Sequence, residues 1–72
     1  MGEYYETLAI AIVRAAVADY RKELKRSKKE GYKTGEAKAI ERFFLSEYGD
    51  LLTFGKGKVI MKQIQKECGF GN

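Results

Sequence analysis

The sequence predicts an all-α protein: a small bundle in which one long N-terminal helix is packed by two shorter helices plus a short helical turn. Three observations carry this. Proline is absent from the 72 residues, so nothing forces a break, and punctuation falls to eight glycines. Those glycines stand at 2, 31, 35, 49, 55, 57, 69 and 71, dividing the chain into segments near 3–30, 36–48, 50–54 and 58–68. In the longer segments apolar residues recur at three- and four-residue intervals, the period of one helix face.

The first segment carries two overlapping apolar stripes, Tyr5-Leu8-Ile12-Ala16-Tyr20 and Ile10-Val13-Val17-Tyr20-Leu24. Glu3 and Glu6 open it and Lys25 to Lys29 close it, which suits a helix dipole at both ends, and Gly31 is the expected stop. Ile10, Ile12, Val13 and Val17 are β-branched, but a strand of more than twenty residues without a turn is not a reasonable alternative. The second helix begins near Thr34, an N-cap residue type, with Glu36 in its first turn and Ala37, Ile40, Phe44 and Tyr48 on its inner face. Ser46 offers a cap for a further short turn through Leu51, Leu52 and Phe54. The last helix turns Ile60, Met61, Ile64 and Cys68 inward and ends at Gly69, with residues 69–72 expected to fray.

Seventy-two residues make one domain, residues 1–72, and a chain this short buries only about 60% of its unfolded surface. Such chains usually need a disulfide, a metal or self-association. Cys68 is the only cysteine, so no internal bridge forms, and without histidine no zinc-type ligand set is present. Self-association as a homodimer stays open. Residues 8–18 are apolar nearly all round, interrupted only by Arg14, and two short helices leave part of that surface for a partner. The stretch is too short to span a bilayer, and the acidic start does not resemble a signal peptide, so the expected location is cytoplasmic and no membrane partner is expected. With no histidine and no cysteine pair, the usual acid–base and nucleophilic sets cannot be assembled; neither catalysis nor a cofactor is expected.

Charge is the most informative functional signal. The net charge is +4, but its distribution is uneven. Residues 21–33 hold Arg21, Lys22, Lys25, Arg26, Lys28, Lys29 and Lys33 against Glu23 and Glu30, a net of +5; the remainder of the chain sums to −1. On a helix such a run presents several cations to a phosphate backbone, giving salt-sensitive, sequence-independent affinity for nucleic acid, and Tyr32 beside it offers a face for base stacking. The same run also reads as the solvated end of a long helix whose cations complement the dipole. A helix-turn-helix is disfavoured, because the second helix carries only Lys38 and Arg42 as cations. Gly55-Lys56-Gly57-Lys58 precedes a helix as phosphate loops do, but it lacks the Walker spacing and a preceding strand. It reads as a loop with two lysines.

Several stretches carry a resemblance. Ala11-Ile12-Val13 through Ala18-Asp19-Tyr20-Arg21, then Ile40-Glu41-Arg42-Phe43-Phe44-Leu45-Ser46-Glu47-Tyr48, Leu51-Leu52, and a final helix with Ile60 and Ile64 resemble small uncharacterised helical proteins encoded by phages, prophages and conjugative elements of Gram-positive bacteria. Many of those proteins have Trp where Tyr48 stands and a longer first connection. The resemblance implies a mobile-element setting and a task directed at host components or DNA, and it assigns no activity. Two expectations follow. The first is a non-enzymatic protein engaging nucleic acid or a nucleoprotein complex through residues 21–33. The alternative is a stoichiometric inhibitor of a host protein, of the anti-defence or anti-CRISPR type, acting through the apolar and aromatic surface of the first two helices.

Overall fold

A computed structural model describes residues 2–70 of the chain, with side chains described from Leu8 onward. Among these residues there are four helices and no strand: α1 (Gly2–Glu30), α2 (Gly35–Leu45), α3 (Glu47–Leu52) and α4 (Gly57–Glu67). The 29 residues of α1 span about 43 Å at about 1.5 Å per residue, which matches the 44 Å long axis of a body only 18 Å across. The other helices lie against this rod, with α1, α2 and α4 touching pairwise.

The core lies where those three meet. Tyr20 and Leu24 from α1, Ala37 and Phe44 from α2, and Met61 and Ile64 from α4 form one buried cluster. The rings of Tyr20 and Phe44 pack at a tilt, centroids 5.8 Å apart. Burial of such large side chains stabilises by about 1.5–3 kcal/mol each, so a few of them carry much of the stability of so small a domain. Both apolar stripes on α1 reach the core at their C-terminal ends, where Ala16 and Val17 pack against the cluster that holds Tyr20 and Leu24. Farther toward the N terminus, Leu8 and Ile10 remain 48% and 51% exposed. The inward placement expected for Tyr5 falls outside the described side chains.

The α1–α2 connection is held by a buried hydroxyl pair. Gly31 and Tyr32 both donate their N–H to the Ser27 carbonyl and end α1. Ser27, fully buried, accepts the Thr34 N–H at 3.0 Å on its Oγ and donates that hydroxyl to the Glu23 carbonyl at 2.7 Å. Thr34 is the N-cap of α2, accepting the Ala37 N–H at 3.1 Å and donating to Glu23 Oε1 at 3.1 Å. An N-cap of this kind contributes about 1 kcal/mol, and here it also fixes where α2 leaves α1.

Two boundaries differ from the sequence expectation. The second helix was expected to run to residue 48; it ends at Leu45, and α3 occupies 47–52 instead of a turn at 50–54. The break falls at Ser46, whose backbone is extended and whose Oγ donates to the Phe43 carbonyl at 2.7 Å while accepting the Gly49 N–H at 3.0 Å. The chain turns there, and Tyr48 is thrown outward at 57% exposure instead of continuing the inner face of Ala37, Ile40 and Phe44. Gly49 is not the stop but a buried member of α3's first turn. The second correction concerns the end of α4. Gly69, at φ +82, takes the left-handed conformation that favours glycine, so that Phe70 donates its N–H to the Gln65 carbonyl at 2.7 Å and packs its ring against the core. Residues 69–70 therefore close the helix in a Schellman motif; positions 71–72, also expected to fray, lie outside the described residues.

Candidate nucleic-acid interface

The buried arc of α1 decides which cations of the basic run reach solvent. At about 100° per residue, Tyr20, Leu24 and Ser27 share an arc of about 60° that faces the core. Lys22, Lys25, Arg26 and Lys29 share an arc of about 100° on the opposite side of the helix, and all four are exposed. Their positions cover about 10 Å along the axis. Among the described residues none of the four stands in an ion pair. Toward the N terminus the same outer face continues through Ala18, Ala15 and Ala11, so no bulky side chain obstructs approach to it.

The other three cations of the run point elsewhere. Arg21 lies on the α4 side, and its Nε meets Glu67 Oε2 at 3.1 Å. Lys28, on the same side, extends its Nζ over Gly69 at the end of α4. Lys33 turns inward and places Nζ 2.7 Å from Glu41 Oε2. That carboxylate also accepts the Tyr20 hydroxyl at 2.6 Å, and Gln65 Nε2 donates to the Tyr20 oxygen at 2.9 Å. Burial pushes Glu41 upward, but the hydrogen bonds from Lys33 and Tyr20, with the Lys33 charge, outweigh it and hold the carboxyl below its ordinary value. Burial, then the bond to Glu41, pushes the Tyr20 phenol well above its ordinary range. Lys33 is thus a structural cation whose removal would leave a half-buried carboxylate short of a partner. The seven residues of the run thus divide into an outer face of four, the exposed Arg21 and Lys28 on the α4 side, and Lys33 turned inward, with Tyr32 exposed beside them.

Sequence reasoning missed a second group. Lys58, Lys62 and Lys66 recur at four-residue intervals on the solvent side of α4, opposite buried Gly57, Met61 and Ile64. Because they are spread over nine residues they do not register as a charge run; their four-residue spacing was the available signal. The loop before them is not shaped for an anion. Gly57 sits where a Cβ would collide with the Phe44 carbonyl, and the adjoining hollow is lined by Glu47 and Asp50 as well as Lys58.

No group of three or more His, Cys, Asp or Glu side chains comes together as a metal site among the described residues. No helix among them is long and apolar enough to cross a membrane. No protein-family model, curated protein or solved structure matches the chain.

Proposed function

We propose that this chain is a non-enzymatic nucleic-acid-binding protein of a phage or other mobile element, working in the cytoplasm and gripping the phosphate backbone on the outer face of α1. The observation that carries the reading is the arrangement of Lys22, Lys25, Arg26 and Lys29. Four cations on one arc opposite the buried stripe, none in an ion pair among the described residues, make a positive surface that Asp19, Glu23 and Glu36 border only beside Lys22. A helix end needing only to complement its dipole is served by cations in its last turn; Lys22 and Lys25 lie beyond that reach. The expected affinity is electrostatic and indifferent to base sequence. Four phosphate contacts on a duplex correspond to a slope of about −3.6 in log affinity against log salt. Titration of a fluorescent duplex across a salt series measures this directly. A slope near zero, or no binding at low salt, would remove the reading.

A second reading, that the chain inhibits a host protein by direct contact, draws on a different feature. Phe54 is 76% exposed and holds a left-handed backbone at φ +57, an uncommon and costly state for a bulky residue. It borders a groove with Ile10, Val13, Arg14, Leu52 and Ile60. An aromatic anchor beside an apolar groove suits protein contact. For this reading a host protein retained by the wild-type chain at high salt should be lost with Phe54→Ser. Equal retention by both would discard Phe54 as the anchor.

A further inference from the structure

The cations of α2 and α4 form a face of their own once the helices are packed. The bond from Gln65 Nε2 to Glu41 Oε2, 3.4 Å, sets the two helices side by side, while Leu45 and Lys58 line a common hollow at the other end. Residues 41 and 65 thus meet at one level and 45 and 58 at another, so α2 and α4 run antiparallel. In that register Lys38 and Arg42, one turn apart on the α4 shoulder of α2, stand at the levels of Lys66 and Lys62. All four are exposed, and among the described residues none is in an ion pair. The nearest carboxylate between the two helices, Glu41, is already taken by Lys33 and Tyr20. Among the described residues, the other acids of α1, α2, α3 and α4 lie away from this face. Asp19, Glu23 and Glu36 line the α1–α2 side, Glu67 is held by Arg21 on the α1–α4 side, and Glu47 and Asp50 lie at the α3 end near Lys58. Four like charges around one groove repel one another, and an anion lying between them relieves that repulsion.

The direction of this face matters as much as its charge. Helix α1 packs against both α2 and α4, so its outer face and the α2–α4 groove point away from each other, across a body 18 Å thick. A single straight duplex cannot lie on both. We infer that the α2–α4 face, centred on Lys38, Arg42, Lys62 and Lys66, is a second phosphate-backbone site, and that one copy of this chain bridges two nucleic-acid segments. The inference rests on the reading of α1 as the first such site. It assigns the protein a bridging or compacting role instead of simple coating.

The test separates binding from bridging. A biotinylated duplex is immobilised, the protein is added, and a second, fluorescent duplex is supplied; protein retained and fluorescent duplex retained are both measured. The wild-type chain should hold both. The triple variant Lys38→Glu, Lys62→Glu, Lys66→Glu changes only exposed side chains, and its helicity is checked by circular dichroism. It should still be retained on the immobilised duplex while fluorescent duplex falls at least about tenfold. Fluorescent duplex held equally by this variant would overturn the inference, since bridging would then come from α1 faces of a self-associated protein. Wild-type protein that binds the first duplex and captures no second would overturn it too, leaving the α1 site standing. Absence of protein on the immobilised duplex would remove the α1 reading and the bridging role together.

Discussion

Gly49→Ala should cost about 3 kcal/mol, the upper end of what overpacking usually does. Gly49 is buried in the first turn of α3, and a Cβ there would fall on the carbonyl oxygen of Phe43, with the Phe44 backbone close behind. These are main-chain atoms, so no side chain can rotate away. Relief requires moving the last turn of α2, which carries Phe44 of the core and the carbonyl to which Ser46 donates. A domain of this size has a total stability of about 4–11 kcal/mol, so the variant should lose a large part of it. Urea unfolding followed by circular dichroism checks this. Gly35→Ala is the natural comparison, since nothing lies within 4 Å of its added Cβ and its backbone is not left-handed. It should be neutral or stabilise by up to about 1 kcal/mol. Equal midpoints for the two variants would mean that α3 does not sit against α2 as described.

The second large effect is on binding. Lys22→Glu, Lys25→Glu and Lys29→Glu together turn the outer face of α1 from cationic to anionic without touching a buried group. Made in a Lys38→Gln, Lys62→Gln, Lys66→Gln background, so that the α2–α4 face cannot substitute, they turn three phosphate contacts into repulsions; duplex affinity at low salt should fall at least about 100-fold, with the salt slope flattened by about 3. Arg21 is left out of this set on purpose. Its Nε is engaged by Glu67, and exposed pairs of that kind contribute about 0–1 kcal/mol. Arg21→Gln should therefore change duplex affinity by no more than about twofold. If Arg21→Gln weakens binding as strongly as the outer-face triple change, the contact surface lies on the α4 side of α1 instead. Fluorescence anisotropy with one duplex and all three proteins distinguishes the two outcomes.

Much of the fold was legible because it is encoded locally. A helix through residues 3–30 follows from apolar spacing in the absence of proline; Gly31 stops it through its backbone freedom, and Thr34 caps the next helix with its own hydroxyl. Each of these is decided by residues within a turn or two of one another. The misplaced break shows where that reasoning ends. Ser46 caps the short helix as its residue type allows, but only the close approach of α3 to the backbone of Phe43 and Phe44 makes Gly49 a buried contact and not a stop. Phe70 belongs to the core because a left-handed Gly69 aims it back at α4.

The candidate site divides in the same way. Composition alone located an excess of positive charge in residues 21–33, since charge density along a chain requires no knowledge of packing. Which of those cations face outward is a property of three helices meeting around Tyr20, Leu24 and Phe44. That packing draws Arg21 to Glu67 and Lys33 to Glu41, leaving Lys22, Lys25, Arg26 and Lys29 in solvent. It also sets the α2 cations Lys38 and Arg42 on the same side as Lys62 and Lys66 of α4, residues twenty or more positions apart. Helical period determines which residues share a face of one helix; which faces lie together, and which look outward, is decided only when side chains of different helices compete for the same buried volume.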